Sequence, residues 1–226
     1  MQENKPALYS VEKNNKLGYL HNLFPDDKFP LAALHEFISI GNHHAATLGF
    51  ISGLLSTFIP EDGFFIWVGN TSLYPPSLLK YGIDPAHLIF IQLQKEKEIQ
   101  WTVEEGLKCP SIHAVIAEIP GLNFIGSRRL QLAIEKSQVP CFIIRQNPRS
   151  LHPTVAAARW QISSLPGSTP DELPGVGYPK WEAKLLKVKN GTPGAITLEF
   201  AQKKFWFYSK EPRIASMHNS LDVKTG

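Results

Sequence analysis

Short apolar runs alternate with longer amphipathic stretches along this chain, and the alternation predicts its architecture. Residues 34–39, 64–69, 88–92, 112–118 and 140–145 are apolar, β-branched or aromatic, as expected of short strands buried in a sheet. Between them, residues 43–59 place Leu48, Ile51, Leu55 and Phe58 near helical spacing, with Pro60 just past the end. Residues 75–81 predict a short helix closed by Gly82, and residues 95–108 a helix stopped by Cys109-Pro110. Residues 123–136 predict a third full helix. Strand runs separated by helices argue for an α/β domain with a mostly parallel sheet and helices on both faces. Right-handed crossovers then restrict its topology.

After Arg149 the pattern opens. Residues 156–163 and 180–187 read as strands, and the proline- and glycine-rich stretch 166–179 between them as a loop. Asn190-Gly191 is a turn signal between residues 181–189 and 194–200, so a C-terminal antiparallel hairpin is expected. Residues 1–28 are polar and lack a clear period, and predict a flexible or loosely docked N-terminal arm. Residues 29–208 then form the core domain, and residues 209–226 a disordered tail. No internal repeat is present.

Composition narrows the field. The 226 residues suit one domain, and a hydrophobic content of 43% supplies a packed core. A formal charge of +3 is too mild to announce a nucleic-acid binder. Cys109 and Cys141 lie in apolar surroundings without a partner at metal or redox spacing, so buried reduced thiols are expected. No apolar stretch approaches the ~20 residues that span a bilayer, and the first thirty residues do not read as a secretory signal. A soluble, cytoplasmic protein without membrane contact is the expectation.

In such a sheet, the loop between the first core strand and its helix is a natural anion site, because backbone N–H groups and the helix N-terminus point there. Active phosphate loops add a lysine for the β/γ-phosphates and a hydroxyl for magnesium. Here the segment reads Ser39, Ile40, Gly41, Asn42, His43, His44, Ala45, Ala46, Thr47, with one glycine and no lysine.

Longer blocks carry a resemblance. Residues 36–50, 65–84, 114–118 and 128–145 look like successive core blocks of RecA, most visibly in "LYPPSLLKYGIDPAHLI". Residues 104–108, 127–135, 156–161 and 179–186 are more specific: "SRRLQLA" followed by "TVAAARWQI" resembles the ImuA family of damage-inducible mutagenesis proteins, over roughly Phe29 to Phe200. The resemblance implies a RecA-like, P-loop NTPase-type core in which Ala45 stands at the phosphate-loop lysine and Ala46 at the magnesium hydroxyl, with Thr47 one place late. Asn70 stands where RecA has its water-activating carboxylate. Glu118 retains the acidic residue that ends the magnesium-side strand. A missing lysine removes charge stabilisation where phosphoryl transfer develops it, and a missing general base removes about 10²–10⁴-fold more. The expectation is therefore a pseudo-ATPase with a degenerate phosphate loop, no catalytic residues and no bound ATP or other cofactor. By resemblance it acts in the SOS response to DNA damage and supports error-prone translesion synthesis. Its partners would be an ImuB-like Y-family polymerase homologue, RecA, and indirectly an error-prone replicative-type polymerase. The alternatives are a divergent DNA-dependent ATPase, using Glu118 and a lysine such as Lys80, or a direct single-stranded-DNA module.

Other residues offer contacts. Arg128 and Arg129 sit early in a helix and read as a solvated face or as a partner contact. Arg145, Arg149, His152 and Arg159 cluster around the counterpart of RecA's DNA-binding loop, but residues 147–154 are short and proline-bearing, which limits DNA contact to a weak backbone interaction. Lys203, Lys204, Phe205, Trp206 and Phe207 read as an edge strand burying Phe205 and Phe207 with Trp206 outward, as a partner anchor, or as a base-stacking strip. His35 and Glu36 with His43 and His44 lack the i, i+4 spacing of a zinc helix, so no metal is expected.

Overall fold

The computed structural model describes residues 17–70, 73–167, 175 and 177–208. Nine strands form one sheet in the order β3-β2-β4-β5-β1-β6-β7-β8-β9. They are β1 (Leu34–Ser39), β2 (Phe64–Gly69), β3 (Leu88–Gln92), β4 (Ile112–Glu118), β5 (Cys141–Gln146), β6 (Ala158–Leu165), β7 (Lys180–Val188), β8 (Gly194–Ala201) and β9 (Lys204–Tyr208). The pairings from β3 through β6 are parallel, and those from β6 to β9 are antiparallel. The expected hairpin is present between β7 and β8, where Asn190 takes a left-handed φ of 59°. It is part of a larger antiparallel meander, because β9 adds to β8 and β7 folds back on β6.

Among the described residues, three α-helices cover the sheet: α1 (His44–Phe58), α2 (Glu96–Lys108) and α3 (Phe124–Ser137). One face carries α1, whose Phe50 meets Phe37, Trp160, Trp181 and Phe205 with ring centroids 5.4–6.1 Å apart. The other face carries α2 and α3, with Ile99, Val103, Leu107, Leu130 and Ile134 against Ile66, Val68, Val115 and Ile143. Covering a parallel sheet on both sides is what its continuous apolar strands require. The short turn at Pro75–Tyr81 is a 3-10 helix ended by Gly82 at φ 74°.

Two expectations are corrected. Residues 17–28 are docked, not a free arm: Leu17, Leu20 and Phe24 are buried, and Phe24 lies 5.9 Å from the Trp160 ring. The spacing i, i+3, i+7 already marked one face of a turn, here a 3-10 helix at Gly18–Leu23. Cys109 is exposed, because it caps the end of α2, whereas Cys141 is buried in β5, where burial raises its thiol pKa. The remaining arm (residues 1–16), the tail (209–226) and much of the 166–179 loop lie outside the described residues.

His35 enters the core of β1 as a neutral ring. Its Nε2 lies 2.8 Å from the Pro30 carbonyl oxygen, and it stacks on Phe29 at 4.7 Å. Complete burial pushes its pKa down to about 4, with the Pro30 hydrogen bond opposing the shift.

Candidate functional site

The loops after β1, β2, β4 and β5 gather at the carboxyl ends of the parallel strands, where open α/β sheets form their ligand crevices. Residues 40–43 join β1 to α1. Gly41 turns the chain at φ 59°, a conformation in which other residues are strained. Its N–H donates to Asn147 Oδ1 at 2.8 Å, and the Asn147 N–H donates back to the Ser39 carbonyl at 2.8 Å. The His43 N–H donates to the Ile40 carbonyl at 3.3 Å. Two loop amides are thus engaged within the chain.

Side chains add further ties. The Ser164 N–H donates to His43 Nδ1 at 3.1 Å, which ties the loop to β6. Thr47 is fully buried and donates its hydroxyl to the His43 carbonyl at 3.1 Å. Asn42 and Ala45 are exposed, Ala46 is half-buried, and no Lys or Arg lies between Ser39 and Thr47. His44 Nε2 lies 3.7 Å from Glu118 Oε1. The other oxygen of Glu118 accepts the Asn70 N–H at 3.2 Å, while Asn70 itself stands at the exposed end of β2. The Glu118 carboxyl rests on Gly69, where an added Cβ would come within 2.8 Å of Cδ. Gly69 therefore makes room for a carboxylate that links the ends of β2 and β4 to the start of α1. Ser39 Oγ and both ring nitrogens of His44 are buried without a hydrogen-bond partner among the described residues. Among those residues, no three His, Cys, Asp or Glu side chains converge as a metal site would require. No helix among them is long and apolar enough to cross a membrane.

On the opposite sheet face, Glu36 organises a second polar cluster. It is wholly buried and pairs with Arg145 (Nη1 to Oε1, 3.4 Å) and with Arg159 through Nε. Arg145 also donates to the Pro120 carbonyl at 3.0 Å and the Ser150 carbonyl at 3.1 Å. Arg159 donates to the His152 carbonyl at 2.9 Å and to Thr154 Oγ1 at 3.2 Å. Lys187 donates to the Thr154 carbonyl at 2.7 Å, and the Val155 N–H donates to Ser127 Oγ at 3.2 Å. Burial lowers the Arg145 pKa, with Glu36 opposing and Arg159 adding to the shift; Lys187 is lowered by burial and then by Arg159.

Arg145 and Arg159, expected as surface contacts, instead clamp the 147–157 segment onto the sheet. Arg145 has no exposed side-chain surface and Arg159 only 11%. Their register with Glu36 comes from three strands meeting side by side, which the chain order does not reveal.

The other candidates lie on the surface. Arg149 and Lys204 are exposed. Lys203 is exposed with its side chain draped over Gly82. Phe205 is buried against Phe50, Trp181 and Phe200. Trp206 points outward, as expected, and donates Nε1–H to the Ala201 carbonyl at 3.0 Å. Phe207 is 36% exposed rather than buried, next to Leu198 in the edge strand β9. Arg128 lies 3.9 Å from Glu135, and Arg129 pairs with Glu104 at 2.6 Å. These placements separate the two arginines, since only Arg129 faces α2.

Sequence reading missed the exposed apolar residues of the helical layer: Trp101 at 63%, Ile125 at 73% and Leu132 at 43%. The signal was present. Ile99, Val103 and Leu107 fix the buried stripe of α2, and a helical period puts Trp101 nearly opposite it.

A nine-stranded sheet that is parallel through β6 and antiparallel beyond it, with helices on both faces, defines a mixed α/β protein with a crevice-type loop end. Comparison with known proteins gives relatives of similar sequence. The chain is 28% identical over 190 residues, covering 78% of each chain, to Protein ImuA of Caulobacter vibrioides strain NA1000 / CB15N. The same figures hold for Protein ImuA of strain ATCC 19089 / CIP 103742 / CB 15. The chain is thus similar to Protein ImuA over most of its length, which supports the resemblance carried by residues 127–135 and 156–161. No family model matches it. Among solved structures, SulA from Pseudomonas aeruginosa aligns with a TM-score of 0.42 and 16% identity, over 50% of this chain and 98% of that one.

Proposed function

We propose that this protein is a non-catalytic accessory factor of damage-induced mutagenesis, a RecA-like core that works through protein contacts and not through ATP turnover. The similarity to Protein ImuA supports the biological setting. The observation that carries the mechanistic part is the closure of the β1–α1 loop. Where an anion-binding loop would present free amides and a cation, Gly41 and His43 give their N–H groups to Asn147 and Ile40, and Ala45 and Ala46 supply only methyl groups. The imidazole of His44 lies beside Glu118, the carboxylate that would otherwise serve magnesium.

Several features support the RecA-like reading: the loop directly after a central strand, the acidic end of β4 beside the end of β2, and helices on both faces. On it, the partner is an ImuB-like Y-family polymerase homologue, with RecA as a second contact. The loop 147–157 has its backbone held by Arg145, Arg159 and Lys187, which leaves Arg149 as its exposed cation and makes any DNA contact weak.

Two measurements test this. Co-purification of the full chain with an ImuB-like protein should succeed, and failure to bind either that protein or RecA overturns the reading. Phosphate release, with and without single-stranded DNA, should stay at background; release that disappears in Glu118→Gln would establish the ATPase alternative.

A further inference from the structure

Helices α2 and α3 run side by side in the same direction. Their starts are joined by the Glu96 carboxylate accepting the Gly121 N–H at 2.9 Å, and further along Arg129 reaches Glu104 at 2.6 Å. Both helices carry an outer row with the same spacing, i, i+4, i+7, i+11. On α2 it is Lys97, Trp101, Glu104 and Lys108; on α3 it is Ile125, Arg129, Leu132 and Lys136. Residues so spaced share one face. The outward face of a helix packed on a sheet is ordinarily polar. Here it exposes Trp101, Ile125 and Leu132 to 63%, 73% and 43%. Between the rows runs a groove of about 370 Å³ lined by Glu104, Lys108, Arg129, Leu132, Ala133 and Lys136, with Ser137 at its end.

The charges say what fits. Glu104 is held by Arg129, and Glu105 by Lys108 at 2.7 Å. These pairs consume both carboxylates beside the groove. Among the described residues, Lys97 at one end and Lys136 at the other make no ion pair. The surface therefore has apolar anchors at its middle and an uncompensated cation at each end.

We propose that this α2–α3 face is the docking site for an acidic segment of a partner protein, one that sets two bulky apolar residues against Trp101–Ile125 and Leu132 and places carboxylates at Lys97 and Lys136. Trp and Arg at the centre of a patch are the residues that dominate binding at protein interfaces. The paired Arg129 and Glu104 hold the rim in shape without opposing the ligand's charge. The proposal rests on the reading of the protein as a contact-making accessory factor and locates one such contact.

The test is to pan a phage-displayed library of random twelve-residue peptides on the full chain. Enriched sequences should carry two or more Asp or Glu residues around Leu, Ile, Phe or Trp. By fluorescence anisotropy, the leading peptide should lose at least tenfold in affinity with Trp101→Ala or Leu132→Asp, and with the double reversal Lys97→Glu/Lys136→Glu. Trp206→Ala, on the far edge of the sheet, should leave it unchanged. Thermal melts confirm that each variant is folded. No enrichment, enrichment of neutral or basic peptides, or indifference to the groove substitutions overturns the proposal. Co-purification with the ImuB-like protein separates this from failure of the broader reading: if it succeeds and the groove substitutions leave it intact, the docking site is elsewhere. If it fails while acidic peptides still bind the groove, the site stands and the assigned partner falls.

Discussion

At the loop end of the parallel strands, several polar groups find partners inside the chain: Gly41 with Asn147, His43 with Ser164, Asn70 with Glu118. On the outer face of α2 and α3, apolar groups that could have been buried stand in water. A ligand-binding loop ordinarily keeps donors unsatisfied until the ligand arrives, and a helix with no partner ordinarily hides its large apolar residues. Here the loop spends the Gly41 and His43 amides within the chain, while Ser39 Oγ and the His44 ring stay without a hydrogen-bond partner among the described residues, and the helical face leaves large apolar residues exposed. The contrast teaches that position in a fold does not by itself assign function: at the loop end Gly41 and His43 already spend their amides within the chain, and the outer helical face, which no loop crevice marks, exposes large apolar residues.

The contrast can be broken most forcefully at Glu36. Glu36→Ala leaves Arg145 buried without its carboxylate and frees the 147–157 segment. Urea unfolding should show a loss of about 3–5 kcal/mol, as for a buried ion pair stripped of one partner. A loss near zero would mean that the clamp does not hold that loop.

His35 gives the next largest effect, through pH. Its folded pKa of about 4 lies below the ordinary 6.5, so below pH 6.5 the unfolded chain takes up a proton that the folded chain refuses. The stability is complete above pH 6.5 and declines as pH falls toward 4, by up to about 3 kcal/mol. His35→Phe should flatten that slope in denaturant titrations at a series of pH values, and an unchanged slope would assign the dependence to other groups.

At the closed loop end, Gly69→Ala drives a methyl group into the Glu118 carboxyl. A cost of about 1–3 kcal/mol is expected from overpacking. Combination with Glu118→Ala should recover most of it, a coupling that a double-mutant cycle measures. Simple additivity would show that the two residues do not press on each other.

The smallest effect on stability belongs to the open face. Trp101→Ala and Leu132→Gln remove side chains already in water, so each should shift unfolding by less than about 0.5 kcal/mol. A larger loss would show that these residues pack within the monomer, and would remove the contrast.

The strands and helices were legible because their periodicity is local. The edges of β1, β2, β3 and β4 follow directly from runs such as "FFIWVG", and Gly82 and Asn190 mark turns by their backbone freedom. The loop after β1 was legible too, since its position and lack of lysine depend only on order along the chain. The Glu36 cluster was not. Glu36, Arg145 and Arg159 come from strands far apart in sequence, and nothing local says that β5 and β6 will flank β1. The same holds for the pair of Gly69 and Glu118, whose contact exists only because β2 lies beside β4. The docking of residues 17–28 was missed for a different reason: a single turn with three apolar residues is too short to rise above a polar background, and it is held by the core that Trp160 helps to build.

Five tryptophans divide cleanly by location: Trp67, Trp160 and Trp181 are shielded, whereas Trp101 and Trp206 meet solvent. The protein therefore carries its own optical probe. A soluble collisional quencher such as iodide will dim the two solvent-lit indoles and spare the three interior ones. Because those two sit on separate elements, replacing Trp206 with phenylalanine leaves one quenchable emitter, at the centre of the helical face, to report in real time on whatever settles there.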